Sequence, residues 1–169
     1  MTKLRSVIVV LTWAAMSLPA VRADVIFTLD RPDQSGVPGA LLQYFATLNN
    51  TGPATVYLNG SDLSLTAPAG DFTTLDLFFD NAPLSLDSGA SSGSFELFDV
   101  TVAAPFPDVY MAYTGVYTLS GGVDSNAQDV LGVVTFSATA VPEPRSVLLL
   151  VASLGAVVVL RRPFIAARH

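Results

Sequence analysis

From Asp24 to Ala140 apolar and polar residues alternate with a period of two, and clusters of turn-forming residues interrupt the alternation at short intervals. That is the pattern of half-buried β-strands. Val25, Phe27 and Leu29 alternate against Ile26, Thr28 and Asp30 until Arg31-Pro32-Asp33-Gln34-Ser35-Gly36 breaks the run. A strand over 40–48 sets Leu42, Tyr44, Ala46 and Leu48 on one face, and Asn49-Asn50-Thr51-Gly52-Pro53 turns it. Residues 54–58 form the next strand, and Asn59-Gly60 after them favours a two-residue hairpin, with 61–66 pairing back. In 72–82, Leu75, Phe78 and Phe79 recur nearer to a helical turn than to a strand, so a short helix or irregular crossover is expected. Residues 94–103 return to alternation with a slip at Leu97-Phe98, the mark of a bulge, and Ala104-Pro105-Phe106-Pro107 ends them. Two long strands, 109–119 and 130–140, close the series around the Gly-rich segment 120–126. Seven or so short strands make the chain mainly β, a single two-sheet antiparallel β-sandwich.

Two segments fall outside this pattern. Residues 1–23 read as a signal peptide: Lys3 and Arg5 open it, 7–16 are apolar, and Val21-Arg22-Ala23 prepares a cut between Ala23 and Asp24, with a cut after Ala20 as the alternative. Its partner is the Sec export machinery. At the other end, 141–169, Val141-Pro142-Glu143-Pro144 makes a stiff exposed spacer, because proline lacks a backbone donor and holds its predecessor extended. An apolar helix over about 146–162 follows and ends on the basic cluster Arg161-Arg162. Its apolar stretch spans about 21 Å at 1.5 Å per residue, short of the roughly 30 Å hydrocarbon core. The length suits transient residence in an inner membrane better than permanent anchoring.

Charge sharpens the division. Among 169 residues the segment from Asp24 to Val141 holds 13 of the 14 acidic residues against one basic residue, Arg31, a net charge of −12. Such a domain repels nucleic acid and anionic lipid surfaces. The chain has no cysteine, which excludes a disulfide framework, a thiolate zinc site and a lipid-modified cysteine.

In the order and spacing of Pro142-Glu143-Pro144, the apolar run and Arg161-Arg162, the tail resembles the PEP-CTERM sorting signal of Gram-negative bacteria. The resemblance implies an exosortase-type membrane processing enzyme as partner. It also implies release from the inner membrane to the cell surface or the extracellular polysaccharide of a biofilm matrix. A plain C-terminal anchor is the alternative. Within the domain, Gly115-Val116-Tyr117-Thr118-Leu119 resembles the entry to strand F of immunoglobulin-like domains. The resemblance implies an immunoglobulin-like sandwich in which Tyr117, two residues after Gly115, is a corner tyrosine bonded to upstream main chain, with Leu119 buried.

Candidate chemistry is sparse. Gly89-Ala90-Ser91-Ser92-Gly93 matches the Gly-x-Ser-x-Gly pattern of a hydrolase nucleophile, but the domain has no His, Lys or Cys to serve as base, so the stretch reads as a flexible loop. Asp124, Asn126 and Asp129 bring oxygen ligands to a Gly-rich loop as a Ca²⁺ site would, without the full spacing of an EF-hand, and a solvated turn explains them as well. The sequons at Asn49 and Asn59 fall where turns select asparagine. The expectation is a non-enzymatic exported protein without cofactor. The alternatives are an anchored sandwich that binds carbohydrate or Ca²⁺, and a polysaccharide hydrolase working through two carboxylates for which the sequence offers no preferred pair.

Overall fold

In the computed structural model, which describes residues 24–104 and 110–142, nine strands and one turn of helix form two sheets around a shared core. The first sheet runs in the order β1 (Val25–Leu29), β3 (Leu41–Asn50), β7 (Ser91–Val102), β5 (Phe72–Asp76). The second runs β2 (Asp33–Gly36), β9 (Asp129–Ala140), β8 (Met111–Gly122), β4 (Val56–Leu65), β6 (Ser85–Leu86). The helical turn α1 (Phe78–Asn81) follows β5. The protein is therefore a two-sheet β-sandwich. The segments read from sequence as a signal peptide and an apolar C-terminal helix lie outside the described residues.

Period-two burial is realised where the alternation is clean. β3 turns Leu42, Tyr44, Ala46 and Leu48 inward, and β8 and β9 contribute Tyr117, Leu119, Phe136, Ala138 and Ala140 from the opposite sheet. At the centre, the Tyr44 and Phe98 rings stack 4.5 Å apart and Phe98 stacks on Tyr117 at 5.3 Å. Phe136 leans on Tyr44 and Phe98 at 5.1 and 4.7 Å. Gly115, opposite Phe136 in the β8–β9 pairing, makes room for that ring: a Cβ there would lie 2.1 Å from Phe136 Cζ.

Both stacked tyrosines bury their rings completely, and each hydroxyl finds its partner on the facing sheet. Tyr44, from the first sheet, donates to the Ser137 carbonyl of β9 at 2.6 Å. Tyr117, from the second, donates to Asp76 Oδ1 of β5 at 2.9 Å. The expected corner bond from Tyr117 to upstream main chain is thus corrected. β5 carries the Asp76 carboxylate over the edge of the core, where it meets the hydroxyl. Burial pushes both phenols well above their ordinary range; the charge of Asp33 adds to this at Tyr44, and Asp76 adds to it at Tyr117 against an opposing contribution from Ser61.

Three local expectations give way to tertiary context. Asp33–Gly36, read as a breaker, is the edge strand β2, and it pairs with β9 in parallel, so the sandwich is not wholly antiparallel. Pro32, without an N–H, lets the chain leave the first sheet after β1 and join the second. Asn59-Gly60 is no hairpin, because β4 runs straight through it; Leu58 pairs with Gly121 and Gly60 with Ser120, so Asn59 is the extra residue of a bulge. Neither residue has positive φ, the conformation a two-residue hairpin turn needs. In 72–82 the helix is limited to α1, while Phe72–Asp76 is strand. The slip at Leu97-Phe98 is present as a bulge: Tyr44 pairs with Phe98 and Phe45 with Glu96, and both Leu97 and Phe98 are buried.

Gly115→Ala is expected to lower unfolding free energy by about 1–3 kcal/mol in urea titration, since the Phe136 ring is held between its neighbours and cannot yield. Tyr117→Phe is expected to cost about 1.5 kcal/mol, the low end for a bond to a charged group, because Asp76 keeps other donors. The raised phenols bind their protons more tightly folded than unfolded, so their contribution is complete below about pH 10, where unfolded tyrosine titrates, and is lost as pH rises further. Stability therefore falls above about pH 10, and less steeply in Tyr117→Phe, as urea midpoints across that range would show.

Candidate functional site

Where β4 enters its sheet, three segments converge on it and leave an open groove of about 540 Å³. The size lies within the roughly 300–1,000 Å³ usual for small-molecule clefts. Its walls are Tyr57, Leu58 and Asn59 of β4, Phe79 of α1, Leu84 and Ser85 before and in β6, and Ser125 and Gln128 of the β8–β9 loop.

Each wall is held by a specific interaction. Asn50 is buried at the end of β3; its amide donates to the carbonyls of Ala54 and Leu86 at 2.7 and 2.9 Å, and its Oδ1 accepts from Gly52 N. That ties the β3–β4 turn to β6, and Leu58 N–H donates to the Leu84 carbonyl. β8 approaches β4 so closely here that a Cβ on Gly121 would lie 2.0 Å from the Tyr57 carbonyl oxygen. The bulge aims Asn59 at the β8–β9 loop, where its amide donates to the Asp124 and Ala127 carbonyls at 2.8 and 2.9 Å. On the far wall, Asp76 Oδ1 accepts from Phe78 N–H as well as from Tyr117. This starts α1 with Phe78 in the core and Phe79 pointing out.

The result is an apolar patch open to water. Phe79 is 62%, Leu84 73% and Tyr57 37% exposed. Clustered exposure of this kind marks contact surfaces more often than it serves the fold. Among the described residues the polar lining is uncharged. Asn59 Oδ1, Gln128 Nε2 and the Ser85 and Ser125 hydroxyls have no hydrogen-bond partner among the described residues.

A second constellation lies on the outer face of the first sheet. The bulge in β7 brings Glu96 and Asp99 side by side, and Asp99 is buried with one oxygen, Oδ1, unpartnered among the described residues. Burial first, then the hydrogen bond and charge of Glu96, push Asp99 up to about 6. Gln43 of β3 donates to the Glu96 carboxylate. This is the carboxylate pair that the sequence alone did not single out. The depression beside it, about 270 Å³, is lined by Asp30, Arg31, Gln43 and Phe45 rather than by the pair.

The remaining sites resolve simply. Asp124 Oδ1 accepts from Asn126 N–H at 2.8 Å, closing a turn, and Asp129 begins β9. Among the described residues no three His, Cys, Asp or Glu side chains gather as a metal site. Ser91-Ser92-Gly93 opens β7 rather than a flexible loop; Ser92 Oγ accepts from Leu48 N–H and donates to the Gly93 carbonyl. Of the expected sorting motif, Pro142 is described, directly after Val141, whose N–H donates to the Gly36 carbonyl at 2.9 Å. Glu143, Pro144, Arg161, Arg162 and Ala23 lie outside the described residues, whereas Asp24, the expected first mature residue, immediately precedes β1.

No protein-family model matches the chain, and no curated protein sequence matches it. Among solved structures it is similar to the secreted serine protease VesC from Vibrio cholerae, at 15% identity and TM-score 0.46 over 77% of this chain and 26% of that one. It is also similar to the CARDB domain of the PF1109 protein from Pyrococcus furiosus, solved with di-metal ions, at 17% identity and TM-score 0.44 over 73% and 97% of the two chains. A third similarity is to VesB protease of Vibrio cholerae, at 16% identity and TM-score 0.39 over 68% of this chain and 31% of that one. The chain thus spans about a third or less of the two proteases.

Asp99 offers a test of the carboxylate pair. Its folded pKa lies above its unfolded value, so it adds stability below about pH 4 that is lost as pH rises through about 6. Asp99→Asn is expected to flatten the dependence of the urea midpoint on pH between those values relative to wild type; identical slopes in the two proteins would show that Asp99 does not hold its proton more tightly folded than unfolded.

Proposed function

We propose that this chain is an exported, non-enzymatic protein of a Gram-negative cell surface or extracellular matrix. Its signal peptide, residues 1–23, directs it to Sec export and is cut between Ala23 and Asp24. An acidic, immunoglobulin-like sandwich over 24–140 is the mature cargo. Residues 141–169 hand it to an exosortase-type enzyme in the inner membrane through Pro142-Glu143-Pro144, the apolar helix at about 146–162 and Arg161-Arg162.

The observation that carries this reading is the order and spacing of those three tail parts. The fold is compatible with it at one point: β9 ends at Ala140 and Val141 N–H still bonds to the Gly36 carbonyl, so Pro142, which has no N–H, follows directly on the sheet. The immunoglobulin-like reading is supported by division of the first two strands between facing sheets and by the buried Tyr117 two residues after Gly115. The non-enzymatic reading rests on the sequence, in which the segment 24–141 has no His, Lys or Cys to serve as a base. A second reading, in which the sandwich binds carbohydrate at the surface, is favoured by the exposed rings of the groove.

A reporter fused to residues 141–169 and expressed in a host possessing the processing enzyme is expected to be released, while the same fusion carrying Glu143→Ala stays in the inner membrane. Equal retention or equal release of the two would show that Pro142-Glu143-Pro144 is a linker and the tail a plain anchor.

A further inference from the structure

We propose that the groove at Tyr57 and Phe79 binds an uncharged sugar chain and presents it at the opposite end of β9 from the point where the chain reaches Pro142. The proposal deepens the carbohydrate reading and is independent of how the protein is sorted.

The chemistry of the lining selects the ligand. A pyranose ring has an apolar face of C–H groups and a polar edge of hydroxyls, each both donor and acceptor. The groove offers the complement of both: exposed rings at Tyr57 and Phe79 with Leu84 beside them, and unpartnered neutral groups at Asn59 Oδ1, Gln128 Nε2 and the two serine hydroxyls. A few placed polar groups in an otherwise apolar cleft are what fix a small ligand's orientation. Charge excludes the competitors. The segment carries −12, and Asp80 and Asp124 adjoin the lining residues Phe79 and Ser125 in the chain, so polyanions, uronic-acid polymers included, are repelled. A second copy of this chain would bring the same charge against itself. Among the described residues that line the groove there is no carboxylate to pair with a cation.

Placement agrees with this role. β9 starts at Asp129, next to the Gln128 wall, and ends at Ala140, from which the chain continues to Pro142. Twelve residues of strand separate the two ends by roughly 36 Å at ~3.3 Å per residue. A domain tethered by its tail, before or without processing, would hold the groove away from the tether.

The test uses the full-length chain in mild detergent, titrated calorimetrically at millimolar concentrations with neutral hexamers of glucose, mannose, galactose and N-acetylglucosamine, and with a galacturonate hexamer. At least one neutral hexamer is expected to bind and the galacturonate is not. Tyr57→Ala and Phe79→Ala are each expected to weaken binding about tenfold, equivalent to about 1.4 kcal/mol. Phe79 is largely exposed and meets the core only edge-on at Phe78, so Phe79→Ala should lower the urea midpoint only slightly, separating lost binding from lost fold. Neutral-sugar binding that both variants retain would overturn the groove while leaving the carbohydrate reading intact; no binding to any neutral hexamer would overturn both. Tighter binding of galacturonate, or self-association abolished by Phe79→Ser in sedimentation, would assign the groove to another occupant and overturn the proposal.

Discussion

Two tyrosines crossing the core in opposite directions hold this sandwich in its alignment. Burial of apolar surface drives the sheets together but has no direction, so alone it would accept many offsets between them. Hydrogen bonds have direction, and a buried phenol without a partner costs roughly 1–3 kcal/mol. The Tyr44 bond to β9 and the Tyr117 bond to β5 are therefore satisfied together at one relative position of the sheets. Phe98, stacked between the two rings, makes them a single unit. With no cysteine in the chain, no disulfide stands behind this arrangement.

The same unit reaches the surface through Asp76. One oxygen accepts from Tyr117 in the core and from Phe78 N–H at the start of α1, while the other accepts from Ser61 of β4. That carboxylate thereby links both sheets and sets the helical turn so that Phe78 is buried and Phe79 is not. The groove's aromatic wall follows from how the core is locked. Its opposite wall follows from the Asn59 bulge, which trades a place in the β4–β8 ladder for two bonds to the β8–β9 loop. Groove and core share their supports, while Val141 and Pro142 follow the other end of β9.

The long strands were legible because their inward residues are apolar and their outward ones are not: Leu42 to Leu48 in β3 needs no neighbour to be recognised. The bulge at Leu97-Phe98 was legible for the complementary reason, since two adjacent large apolar residues break a period of two. β2 was not, because Asp33–Gly36 is a polar edge strand whose pairing with β9 depends on residues a hundred positions away. Asn59-Gly60 misled for a similar reason. Its local preference for a hairpin loses to the continuous pairing of β4 with β8 on both sides of it. The groove was invisible in sequence because its apolar side chains come from β4, α1 and the β6 approach, and nothing local distinguishes Phe79, which faces water, from Phe78, which does not. The carboxylate pair was hidden too, since only the β7 bulge turns Glu96 and Asp99 to one face.

The most direct test of the cross-core lock is a double-mutant cycle on the two hydroxyls, with Tyr44→Phe, Tyr117→Phe and the double variant unfolded in urea under one set of conditions. Because both rings stack on Phe98 and both bonds fix the same alignment of sheets, the account predicts an interaction energy of at least about 0.5 kcal/mol between the two substitutions. Simple additivity would mean that each bond acts alone and that the two do not hold the sheets as one unit.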